Sequence, residues 1–229
     1  MTDRLTELAT NWSEVTGQVA ATCQQLGRDF SEVQIIAVTK TWPASDVDLL
    51  AEVGVQNIGE NRDQEAATKK LEVSARDLTW HAIGQIQTNK VKSIAQWANV
   101  VHSVDRPELV SAFAKVLGNQ NTELGVFIQV NLDPQTNDIR GGLRQQEVMA
   151  LAEQILEVPN LNLLGVMAVA PLNEDPEPAF AKLADISEDL VTQIPTAKFI
   201  SAGMSADYEI ALKYGATHLR LGSAILGHR

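Results

Sequence analysis

Eight short apolar runs, each separated from the next by a stretch with helical spacing, limit the folds open to this chain of 229 residues more than any other feature. Such runs suit strands buried on both faces, as in a parallel sheet, and apolar residues three and four apart suit amphipathic helices. The first run, Gln34-Ile35-Ile36-Ala37-Val38-Thr39-Lys40, ends abruptly in an amine and is closed by Trp42-Pro43. The others fall at 55–58, 78–83, 99–103, 123–130, 161–166 (leading into Met167), 198–200 and 217–221. Leu5, Leu8, Trp12, Val15, Val19 and Leu26 place one more helix ahead of the first run. Eight strands, seven intervening helices and a leading helix, with almost nothing after the last strand, predict an α/β fold. It is a single (β/α)8 TIM barrel over residues 1–229, closed by the amino-terminal helix. A doubly wound open sheet is the runner-up, but no G-x-G-x-x-G follows the first strand.

With 29 acidic and 18 basic residues, a net charge of -11 disfavours a nucleic-acid partner, whose affinity comes mainly from lysine and arginine on phosphates. The one cysteine, Cys23, cannot form an intramolecular disulfide and fits a reducing cytosol. There is no signal-like amino terminus and no apolar run of about 18 residues. A soluble cytoplasmic protein without a membrane partner is the expectation. Four dispersed histidines and no paired Cys/His spacing give little support for a metal, and no nucleophile turn suggests Ser-His-Asp chemistry.

In this register Lys40, Asn61, His81, Ser103, Asn131, Ser201 and Arg220 fall at carboxyl ends of strands, which form one mouth in a barrel. A lysine there can meet a carbonyl compound as a nucleophile. Ser201, Gly203, Met204 and Ser205 after the seventh strand, and Gly222 and Ser223 after the eighth, make two small-residue turns where backbone N–H groups can approach a phosphate. An imine-forming lysine with a phosphate nest suits a Schiff-base aldolase acting on a phosphosugar, or a pyridoxal phosphate site. For the aldolase, Glu60 is the only obvious acid/base carboxylate. For the cofactor, Arg220 can face the pyridine nitrogen, and a permanent cation opposes its protonation. Blander roles compete. Asn61 can cap the next helix, His81 can be a satisfied structural residue, and Trp42, Trp80 and Met204 can be core. The charges of 62–74 read as a solvated helix face, and the polar stretch 131–142, with Pro134, Gly141 and Gly142, reads as a functional or mobile loop.

Taken together, Ala37-Val38-Thr39-Lys40, Gly59-Glu60-Asn61, Trp80-His81, Gln87-Thr88-Asn89-Lys90, His102-Ser103-Val104-Asp105, Gln129-Val130-Asn131, Ser201-Ala202-Gly203-Met204-Ser205-Ala206-Asp207 and Arg220-Leu221-Gly222-Ser223 make a specific set. The chain resembles, over nearly its whole length, the pyridoxal phosphate homeostasis protein family, single-domain relatives of the alanine racemase barrel. The resemblance implies a fold-type III barrel that binds pyridoxal 5'-phosphate (PLP), with Lys40 as the Schiff-base lysine and Arg220 facing the pyridine nitrogen. It places the phosphate near Ser201, Met204, Ser205, Gly222 and Ser223, with Asn61, His81, Met167 and Gly203 as further expected contacts. It implies PLP homeostasis, with effects on amino-acid and keto-acid balance, without catalytic turnover. A PLP-dependent amino-acid racemase using Lys40 and His81, and a PLP-responsive regulatory interaction protein, are the alternatives. Expected partners are PLP itself and PLP-dependent apoenzymes or a regulatory protein, and a monomer is expected. The resemblance implies a barrel without the second domain whose tyrosine serves racemases, and the sequence holds only Tyr208 and Tyr214. It departs from the family pattern at Arg62, Ala82 and within 131–142.

Overall fold

A computed structural model describes residues 3–118, 122–133, 141–171 and 173–227. Eight parallel strands close into a barrel in sequence order: β1 (Gln34–Val38), β2 (Asn57–Glu60), β3 (Thr79–Ala82), β4 (Val100–Val104), β5 (Leu124–Gln129), β6 (Leu161–Met167), β7 (Phe199–Ser201) and β8 (His218–Leu221). β8 pairs back onto β1 with Ile36 opposite Arg220 and Ala37 opposite Leu221.

The leading helix α1 (Asp3–Gln25) precedes the barrel, and α2 (Ala44–Glu52), α3 (Asp63–Glu72), α4 (Val91–Trp97), α5 (Pro107–Leu117), α6 (Val148–Leu156), α7 (Glu177–Gln193) and α8 (Tyr208–Lys213) connect successive strands. After β8 comes α9 (Ser223–Leu226), a single turn where almost nothing was expected. Pro107 opens α5, where its missing N–H costs nothing, and Gly118 caps it.

The predicted closure by α1 is realised. Leu8, Val15, Val19 and Cys23 form its buried stripe, and the helix packs against α2, α8 and α9. Arg4 donates to Asp46 Oδ2 at 2.8 Å and to the Leu226 carbonyl at 3.2 Å, and Asn11 donates to the Ile225 carbonyl at 3.0 Å. These bonds tie the helix to α2 and α9. The main apolar core lies between strands and helices, with Phe113, Phe180, Leu50 and Ile155 fully buried. Each such side chain contributes about 1.5–3 kcal/mol, against about 0–1 kcal/mol for an exposed ion pair, so sandwiched apolar layers carry the stability.

Two readings are corrected. β2 starts two residues later than expected, because Val55 is buried in the preceding turn, where its amide donates to the Leu50 carbonyl. The shift puts Glu60 inside the barrel wall. In α3 the charges do not all face solvent: Lys69 shares the buried face with Ala66. Of the polar stretch 131–142, residues 134–140, Pro134 included, lie outside the described residues.

Candidate functional site

Lys40 is carried two residues past the end of β1 and is exposed. Its neighbours on either side are held. Thr39 is fully buried, its amide donates to the Gly59 carbonyl at 3.0 Å, and its hydroxyl donates to Glu60 Oε1 at 2.6 Å. Thr41 has φ +69°, a left-handed conformation that a β-branched residue seldom adopts, and its amide donates to Glu65 Oε1 at 2.6 Å. Strain of that kind costs about 1–3 kcal/mol and persists where the surroundings over-determine it. Here the bracing comes from the end of β2 and from α3.

The centre of the brace is Lys69. Its ammonium donates to Glu60 Oε1 at 2.5 Å, to the Thr39 carbonyl at 2.8 Å and to Glu65 Oε1 at 3.1 Å. Burial pushes the Glu60 carboxyl up, against the Lys69 and Thr39 hydrogen bonds that favour its charged form. Its second oxygen has no hydrogen-bond partner among the described residues. Glu65 is held below the usual carboxylate range despite some desolvation, because the Thr41 amide and Lys69 both donate to it.

On the other side of β1 stands β8. Arg220 is buried, donating from Nη1 to the Ser201 hydroxyl at 2.5 Å and from Nη2 to the Ala168 carbonyl at 2.8 Å. No carboxylate hydrogen-bonds to it among the described contacts. Burial lowers its pKa to about 10, opposed by Asp207, so it remains a cation at neutral pH. Met167, the buried last residue of β6, lies opposite Ser201 in the β6–β7 register, one residue before the Ala168 acceptor.

The two small-residue turns meet beside this cation. Gly203 has φ +91°, and a Cβ there would lie 2.9 Å from the Ala211 methyl, so only glycine fits. Met204 donates its amide to Asp207 Oδ1 at 2.6 Å, which pins the first turn. The Ala224 amide donates to Ser205 Oγ at 3.4 Å, which joins the first turn to the second. A Cβ on Gly222 would sit 3.5 Å from the Val38 Cβ, so the second turn lies against the strand that ends near Lys40. The structure therefore brings Lys40, Ser201, Arg220 and both turns to one end of three adjacent strands.

Asn61 sits at the same end but faces a neighbouring hollow of about 790 Å³, lined also by Gln85, Gln87, Lys90 and Arg106. Lys40 and Arg220 do not line that hollow. Gly84 backs the Asn61 peptide so closely that a Cβ would fall 2.2 Å from the Asn61 carbonyl oxygen.

His81 lies elsewhere than the mouth expected for it. Its Nδ1 is 2.9 Å from His102 Nε2 and its Nε2 is 3.1 Å from Asn57 Oδ1. It lines a hollow at the amino-terminal end of the barrel with Gln34, Asn57, Thr79 and His218, all first residues of their strands. Burial drives its pKa down to about 3, so it is neutral. Any influence it has on a ring at the mouth passes through His102, whose Nδ1 lies 2.8 Å from Ser201 Oγ. His102 and Lys69 are buried polar side chains at the site that reading the sequence did not single out. The pairing of a histidine with a serine 99 residues away leaves no local pattern.

The alanine racemase N-terminal domain family matches residues 16–229. The pyridoxal phosphate homeostasis protein of Mycobacterium leprae is 37% identical over 98% of this chain and 94% of its own length. That of Corynebacterium glutamicum is 38% identical over 93% of this chain and 97% of its own. Among solved structures, PipY of Synechococcus elongatus with PLP bound superposes with a TM-score of 0.80 at 30% identity, covering 91% of this chain and all of that one. An alanine racemase from Corynebacterium glutamicum shares the fold, with a TM-score of 0.72 at 12% identity over 60% of its length. On these likenesses the chain belongs to the pyridoxal phosphate homeostasis proteins, within the alanine racemase N-terminal domain family.

Proposed function

We propose that this chain holds PLP at the carboxyl end of its barrel and serves PLP homeostasis in the cytoplasm without catalytic turnover. Lys40 would hold the aldehyde end of the cofactor, Arg220 would face the ring nitrogen, and the turns at Gly203–Ser205 and Gly222–Ser223 would receive the phosphate, the Ser201 hydroxyl being committed to Arg220 and His102. Asn61, at the same end of the barrel but opening on the neighbouring hollow, would reach the phenolic oxygen only from that side. When bound, the cofactor supplies an electrophilic aldehyde and an electron-withdrawing ring, and a ring nitrogen kept unprotonated makes that ring a poor electron sink.

The observation that carries this reading is the buried Arg220 cation. It stands on the strand beside the one that leads to Lys40, and among the described residues its side chain bonds only neutral acceptors, the Ser201 hydroxyl and the Ala168 carbonyl. A buried cation without a hydrogen-bonded carboxylate is costly unless it meets a ligand of matching chemistry. A pyridine lone pair beside a phosphate cradle is such a ligand. The strained, braced turn around Lys40 agrees with a residue held for chemistry rather than for packing.

Holding is favoured over turnover because a racemase needs a second acid/base facing the lysine. Tyr208 lies in α8 with its hydroxyl 3.3 Å from Gln18 Oε1, and Tyr214 donates to Glu177 at 2.9 Å. Both are committed away from Lys40. His81 is buried at the other end of the barrel.

The test is a titration of purified protein with PLP followed by absorbance. A saturable band shifted from that of free PLP is expected, absent in Lys40→Ala. Loss of optical activity from an L-amino acid in the presence of the loaded protein, abolished by Lys40→Ala, would replace this reading with the racemase.

A further inference from the structure

Barrel interiors of this type are usually filled by layers of branched apolar side chains. Here the interior holds a file of polar ones. From the mouth inward, Arg220 Nη1 lies 2.5 Å from Ser201 Oγ, Ser201 Oγ 2.8 Å from His102 Nδ1, His102 Nε2 2.9 Å from His81 Nδ1, and His81 Nε2 3.1 Å from Asn57 Oδ1. Four successive hydrogen bonds thus join the mouth to the hollow at the amino-terminal end.

The direction of donation follows from the chemistry of the end groups. A guanidinium only donates, so Ser201 accepts from Arg220. No other acceptor for the Ser201 hydrogen appears among the described bonds, so that hydroxyl donates to His102 Nδ1. His102 is fully buried and neutral, so its single N–H is on Nε2 and points at His81 Nδ1. His81 is neutral for the same reason, so its N–H is on Nε2 and donates to the Asn57 carbonyl oxygen. Every atom then has the role its neighbour needs, and all four bonds run one way. Aligned bonds of this kind polarise one another.

The file contains no carboxylate. The groups facing it are His218 and Arg220 of β8, which depress its histidines, and Asp207, which acts on Arg220 while accepting the Met204 amide. The arrangement satisfies a guanidinium donor without neutralising its charge. A carboxylate in place of Ser201 would do the first and undo the second.

We propose that Ser201, His102, His81 and Asn57 act as positioning residues for Arg220. They form a one-way donor file that fixes the guanidinium at the mouth as a cation without a hydrogen-bonded carboxylate, so that a pyridine nitrogen opposite it stays unprotonated. The proposal rests on the reading of Arg220 as the ring-nitrogen partner, but its geometry exists without cofactor and can be tested alone.

The experiment is nitrogen-detected NMR of cofactor-free protein labelled with ¹⁵N-histidine. His102 and His81 are both expected as neutral Nε2–H tautomers, unchanged from about pH 8 to about pH 5.5. Nδ1–H on either ring, or titration near the ordinary histidine value, overturns the file. Asn57→Leu removes the last acceptor and is expected to lose the single tautomer at His81 and His102. Asn57→Asp places a carboxylate at the far end and is expected to make His81 cationic. In PLP-loaded protein, the same aspartate is expected to raise the pH midpoint of the absorbance change by about half a unit or more. Variant histidine spectra identical to wild type would contradict the proposal. Should the variants not fold, the wild-type tautomers decide alone. If Lys40 carries no cofactor yet the tautomers are as stated, the functional reading fails and the file stands. The reverse outcome removes the file and leaves the function.

Discussion

The Lys69 ammonium lies 2.5 Å from Glu60 Oε1, both side chains almost wholly buried, directly behind the turn that presents Lys40. Two lysines therefore serve one turn. Lys69 is internal and spends its hydrogen bonds on Glu60, Glu65 and the Thr39 carbonyl, while Lys40 stands exposed at the mouth. Lys69 is thus fixed in the wall, and Lys40 is left free to meet a ligand only if the proposed function holds.

Removing the inner lysine leaves a buried carboxylate without its partner. Lys69→Met is expected to cost about 3–5 kcal/mol of stability, and Lys69→Met with Glu60→Gln clearly less, because the uncompensated charge is then gone. Urea unfolding of the two variants and wild type measures this. Equal losses in the single and double variants would mean that packing, not charge, is what Lys69 contributes.

Acid sensitivity should come from the barrel interior. His81 and His218 have folded pKa values lowered to about 3 and about 4, and His102 is lowered well below its ordinary value, in each case chiefly by burial. A histidine that is neutral when folded binds its proton more readily when unfolded, so stability is complete above the unfolded pKa near 6.5 and falls as pH drops below it. At pH 5 each such histidine is expected to remove roughly 2 kcal/mol. Unfolding free energies measured between pH 7 and pH 5 check the slope, and His102→Gln should flatten it. A curve level across this range would show that the histidines titrate normally in the fold.

Close backbone approach behind Asn61 gives a more local prediction. Because a Cβ at Gly84 would meet the Asn61 carbonyl at 2.2 Å, Gly84→Ala must shift that peptide. A stability loss of about 1–3 kcal/mol is expected, as for other overpacked sites. PLP binding should weaken more than it does in an equally destabilised core variant such as Ile155→Val. Parallel weakening in both would separate Asn61 from the cofactor.

The strands and their mouth were legible in the sequence because parallel strands are read from local apolar runs, and the residues after them must lie at one end. Lys40, Ser201, Arg220 and the small-residue turns follow from that alone. β2 was placed two residues early because Val55, apolar and buried, belongs to a turn that nothing in its composition distinguishes from a strand. Lys69 was hidden by the usual solvation of helix charges, since its partners Glu60 and Thr39 lie across the barrel wall. His81 was expected at the mouth because strand position gives height in a barrel only after the stagger of the strands is known. His102 lay in a matching stretch, but its link to Ser201 is purely tertiary.

The central claim is that Lys40, and no other lysine, holds the cofactor. The direct measurement is borohydride reduction of PLP-loaded protein followed by mass-spectrometric peptide mapping. One modified peptide is predicted, carrying the added mass on Lys40, with the absorbance band of the loaded protein lost on reduction and no labelling in Lys40→Ala. Labelling at Lys69 or another lysine, or protein that retains no cofactor after reduction, would contradict the account.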